Sequence, residues 1–168
     1  MSEYSTEFAA KLAEVATNLA NKSKQDLETS RVVVYISRLS LELSLKGLLE
    51  HAGVSVADIR SRSHNLRGLL DDVGRCEVQS ELPLPPQLWV SASSLRSEVI
   101  RDATGSTTTV GNVVDAESVG ASHYPNQIRY GKKLVDFPTV VLAQAAMSVA
   151  SWTSKHSNDI RISTRHNK

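Results

Sequence analysis

Three groups of side chains in this sequence carry chemistry. In Leu41–Leu49 (LELSLKGLL), Glu42 stands four residues before Lys46, the favourable order for an ion pair along one helix face. Such a pair either holds its helix in register or, if Lys46 points into a groove, offers an ammonium to a phosphate. Arg60, Arg62, His64 and Arg67 crowd nitrogen-bearing side chains around a helix start. Free backbone N–H groups and guanidinium forks there favour an anion. On the alternative reading His64 bonds a neighbouring helix end and the arginines are solvated. Arg129 and Tyr130, followed by Lys132 and Lys133 and preceded by His123 and Tyr124, form the third group. A ring beside cations can stack a base while its phosphate is neutralised, or the tyrosine fills core and the lysines stay in water.

Other chemistries lack their signatures. There is no Gly-rich phosphate loop, no nucleophile elbow and no His-x-x-x-His helix, so neither metal nor cofactor is expected. The single cysteine, Cys76, excludes an internal disulfide and reads as structural. His51, beside Gly53, reads as a helix C-terminal residue near free carbonyls.

The chain must position these groups with 168 residues, 40% of them hydrophobic, which suits one well-buried domain. Nineteen basic against eighteen acidic residues leave a net charge of +1, so a nucleic-acid partner would need a local patch. The acidic start MSEYSTEF is unlike a signal peptide, and no apolar run is long enough to cross a bilayer. The expectation is a cytoplasmic protein without membrane contact.

Residues 4–23 space Phe8, Leu12, Val15, Ala16 and Leu19 as one helical face. Residues 26–52 form the strongest segment, stopping at Gly53. It carries two apolar stripes, Val32, Ile36, Leu39, Leu43 and Val34, Leu41, Leu45, Leu48, Ala52. Between them Ser37, Ser40, Ser44 and Gly47 allow close approach of another helix, from this chain or a second subunit. After a short connection over 54–63, Ser63 is read as N-cap of a helix carrying Leu66, Leu69, Leu70 and Val73. Pro86 opens an expected helix from Gln87 to about Asp102, with Leu88, Leu95 and Val99 inward. Residues 104–126 read as a long loop with an extended piece at 108–114, Pro138 opens a last apolar helix, and 156–168 read as a basic tail. The expected fold is an all-α, up-and-down bundle of about five helices with an inserted long loop, one domain over 1–155.

Three of these pieces, in order, resemble the HEPN family of small helical bundles. Glu42, Lys46 and Leu49 are similar to its Glu-x-x-x-Lys-x-x-Leu helix. Ser63-His64-Asn65-Leu66-Arg67-Gly68-Leu69-Leu70 is similar to its Thr-His-Asp-Leu-x-x-Leu-Leu segment. Ile128-Arg129-Tyr130-Gly131 is similar to the Arg-Tyr-Pro before its last helix, with Gly131 where proline is usual. The resemblance covers roughly 26–154 and implies a bundle, commonly a homodimer. It also implies one of three functions: nucleotide or RNA binding, metal-independent ribonuclease activity of the toxin or phage-defence kind, or a non-catalytic module for a protein partner. The expected ligand set is Lys46, Arg60, Arg62, His64, Arg129, Tyr130 and Lys133. The family's ribonucleases use Arg, four to six residues, then His, which here fits only Arg161 and His166; with His64 these are the catalytic candidates.

Overall fold

The computed structural model describes residues 2–22, 26–80, 88–101, 105–118 and 139–163. The chain is predominantly helical, as its periodicities require, but it is not purely α: two small antiparallel sheets are built into it. Three long helices, α1 (Thr6–Ala20), α2 (Leu27–His51) and α6 (Thr139–His156), pack against one another. Against the other side of α2 lie α4 (Leu66–Gly74) and, through it, α5 (Val110–Ser118), while the short α3 (Val56–Ser61) lies within the connection over 54–63.

Local chemistry sets these boundaries. Ser5 and Asp26 cap α1 and α2 by accepting from the amides of Phe8 and Thr29. The Thr29 bonds hold the Asp26 carboxyl below its ordinary range. Helix α2 stops as its glycine predicts. Gly53 takes φ +93°, its amide donates to Glu50 O, and the amide of Val54 reaches back to Leu49 O, which satisfies two terminal carbonyls.

The stripe of Val34, Leu41, Leu45, Leu48 and Ala52 is buried as expected, at the centre of the main core. The other stripe is not: Val32 is exposed, while Ile36, Leu39 and Leu43 are half-buried. The small residues between them receive α1. Ser40 Oγ donates to Ala9 O at 2.7 Å, and a Cβ on Gly47 would stand 2.5 Å from Thr6 Cγ2. That closeness decides which face of α1 turns inward. Ala9, Ala13, Ala16 and Ala20 are buried, whereas Phe8 and Val15, expected inside, face outward. Larger side chains there would hold the helix axes apart.

The expected helix from Gln87 to Asp102 is absent among the described residues. That stretch instead gives strand β2 (Trp89–Ser91), a 3-10 turn (Ala92–Ser97) and strand β3 (Val99–Arg101). Of the three residues expected inward, only Leu95 is buried. The Ser91 hydroxyl accepts from Ser93 N and starts the turn, and the β-branched Val99 and Ile100 pair with β4 (Thr107–Thr109). The expected long loop therefore contains β4 and α5, with Val110, Val113 and Val114 in the core. The larger sheet has β1 (Cys76–Gln79) at its centre, between β2 and β5 (Ile160–Ile162). Strand β5, in the segment read as a tail, pairs Ile160 with Val78 and Ile162 with Cys76. No helix among the described residues is long and apolar enough to cross a membrane.

Candidate functional site

The long helix α2 buries a row of charge. Arg38, Glu42 and Lys46 follow one another at single-turn spacing and are 0%, 4% and 7% exposed. An ionised group in a core must find partners. For Glu42 the partners are known to the atom. Oε1 accepts from Lys46 Nζ at 2.8 Å, and Oε2 lies 2.9 Å from His64 Nδ1. On its other side Lys46 lies over the Tyr4 ring, 5.5 Å from the centroid. Tyr4 is itself fixed, because the Glu50 carboxylate accepts from the Ser2 hydroxyl and from the amides of Glu3 and Tyr4.

His64 comes from the connection between α3 and α4. Its side chain is 49% exposed, so a buried anchor holds a solvent-facing ring. The backbone before it is unusual: Ser63 takes φ +50°, in the left-handed region that non-glycine residues rarely occupy. Ser63 is therefore not the N-cap of α4. That role belongs to Asn65, whose side chain accepts from Gly68 N at 2.9 Å.

The arginines expected to clamp a phosphate are each met by carboxylates of this chain. Arg60 makes a two-pronged pair with Glu3, at 3.0 Å and 2.8 Å, and so ties the N-terminal segment to α3. Arg62 contacts Asp72 at 2.6 Å, and Arg75 shares that carboxylate at 3.1 Å. Arg96 bridges Asp71 and Asp115, with Arg67 3.6 Å from Asp115. Arg161 pairs with Glu77 at 3.0 Å and stacks 3.8 Å above the Trp89 ring. The structure thus joins Lys46 to His64 through Glu42, while Arg60, Arg62 and Arg161 are each held by carboxylates elsewhere. Arg129, Tyr130, Lys133 and His166 lie outside the described residues.

The acids that neutralise these arginines were the part hidden from sequence reading. Glu3, Asp72 and Glu77 stand 57, 10 and 84 positions from their partners, beyond any local spacing rule. Among the described residues, no three His, Cys, Asp or Glu side chains converge to hold a metal ion.

Cys76 borders a cleft of about 390 Å³ lined also by Leu49, Ile59, Arg62, Asp72 and Ile162. Burial, with a smaller contribution from the Asp72 carboxylate, pushes its thiol up to about 11. Only the thiolate is nucleophilic, so alkylation by iodoacetamide should be slow at neutral pH and still accelerating between pH 9 and 11. The urea-unfolded chain should react much faster at neutral pH. A native rate that levels off by pH 9 would contradict the burial.

No known protein family, characterised protein or solved structure matches this chain.

Proposed function

We propose that the chain is a cytoplasmic, HEPN-like helical module that binds the phosphate of a nucleotide or RNA at His64. The observation that carries this reading is the half-exposed imidazole anchored through Nδ1 on the buried Glu42, itself fixed by Lys46. A buried charged pair is a poor way to gain stability, but it can hold a solvent-facing ring in one orientation. Lys46 and Glu42 cancel each other, so the groups that meet an anion are the His64 ring and, beside it, the start of a nine-residue helix. Arg60 and Arg62, held by Glu3 and Asp72, serve the fold in this reading, and Arg129, Tyr130 and Lys133 supply the cations and ring for the base.

Calorimetric titration with ATP, GTP and a short 5′-phosphorylated RNA tests the proposal. Binding of at least one of them, weakened tenfold or more in His64→Ala and unchanged in Arg60→Ala, is the expected result. No heat with any of the three in the unsubstituted chain would overturn it.

The pairing of an imidazole with a buried carboxylate also supports a second reading, a metal-independent endoribonuclease with His64 as acid or base. Labelled RNA cut in the presence of EDTA, and left intact by His64→Ala, would favour it. Uncut RNA would exclude it.

A further inference from the structure

We propose that Glu42 is a positioning residue that fixes the tautomer of His64, and that Lys46 determines which way their hydrogen bond runs. The inference deepens the phosphate-binding reading and rests on it for its functional meaning. Its physical content can be tested without any ligand.

The argument follows from what each group can donate. An ammonium only donates, so Lys46 Nζ claims an acceptor at Glu42 Oε1, 2.8 Å away. An ionised carboxylate only accepts, so Oε2, 2.9 Å from His64 Nδ1, requires that nitrogen to carry the proton. Glu42 cannot relax by turning to water, because its side chain is 6% exposed and its helix is the centre of the core. The left-handed backbone at Ser63, immediately before His64, is a second sign that the ring's position is imposed. The neutral ring is then the Nδ1–H form, and Nε2, on the side away from Glu42, is its acceptor nitrogen. Nε2 can take a hydrogen bond from a sugar hydroxyl when neutral and give one to a phosphate oxygen when protonated.

An isosteric substitution separates this role from mere packing. In Glu42→Gln, Lys46 still demands an oxygen and takes the amide oxygen, which leaves the amide –NH2 facing His64. Nδ1 must then become the acceptor, and the ring should switch to the Nε2–H form with no change in shape. Removing the demand as well, in Glu42→Gln/Lys46→Met, frees the amide to present either end, so Nδ1–H should reappear alongside Nε2–H.

The measurement is two-bond 15N–1H correlation on the histidine rings of the full, ligand-free chain, at a pH where His64 is neutral. Nδ1–H in the unsubstituted protein, Nε2–H alone in Glu42→Gln and a partial return of Nδ1–H in the double variant are expected. Nε2–H in the unsubstituted protein would overturn the inference even if neither variant folds. A ring left unchanged by Glu42→Gln would overturn it as well. The expected tautomers in a chain without RNA or nucleotide affinity would uphold the positioning role and sink the phosphate-binding reading alone.

Discussion

Glu42→Ala should cost about 3–5 kcal/mol of folding free energy, because it leaves the Lys46 ammonium buried without its carboxylate. The loss exceeds the worth of the pair itself, since the desolvation of the orphaned charge dominates. Replacing both partners, as in Glu42→Leu/Lys46→Leu, removes the orphan and should return stability to near that of the unsubstituted protein or above it. Urea denaturation of the two variants measures the difference. Equal losses in both would mean that Glu42 and Lys46 are not energetically coupled. If the double variant is stable but has lost affinity for RNA, the pair is retained for the ring it holds rather than for the fold.

The second large effect belongs to the apolar side of the same helix. Leu45 is 0% exposed at the centre of the main core, and Leu45→Ala should cost about 2–5 kcal/mol through lost burial and the cavity it leaves. Val32 occupies the other stripe of α2 and is 47% exposed, so Val32→Ala should change stability by no more than about 0.5 kcal/mol. Comparable losses from the two substitutions would contradict the orientation of α2.

That contrast locates what periodicity can and cannot convey. The existence, length and glycine stop of α2 were legible because each depends on residues within a turn or two of one another. The small-residue track was legible for the same reason, but its occupant was not. The sequence left open a helix of this chain or of a second subunit, and the structure shows α1 with Ala9 against Ser40. Of the face expected inward on α1, Ala16 is fully buried, Leu12 and Leu19 are half-buried, and Phe8 and Val15 face outward, because close approach selects the alanines.

The larger sheet was missed for a different reason. Strand β1 has 4 residues and β5 has 3, too few to establish a period, and their pairing joins segments 84 positions apart. The helix expected from Gln87 onward failed because proline and spaced leucines outweighed the β-branched residues that pair β3 with β4.

The candidate site was half legible. Glu42, Lys46 and His64 stood out from the sequence, and the structure adds that Glu42 links the other two. Clustered arginines read as an anion clamp because the sequence shows like charges side by side. Their carboxylates arrive from other elements, as Glu3 does for Arg60 and Glu77 for Arg161. Charge on a chain is local, whereas charge on a folded surface is a sum over everything that folding brings near.

Binding at His64 can be tested most directly by mapping backbone amide shifts as a short 5′-phosphorylated RNA is titrated into the labelled protein. The account predicts saturable changes centred on Ser63, His64 and Asn65, abolished by His64→Ala. Changes confined to the surface around Arg60 and Arg62, or none in any of these residues, would contradict it.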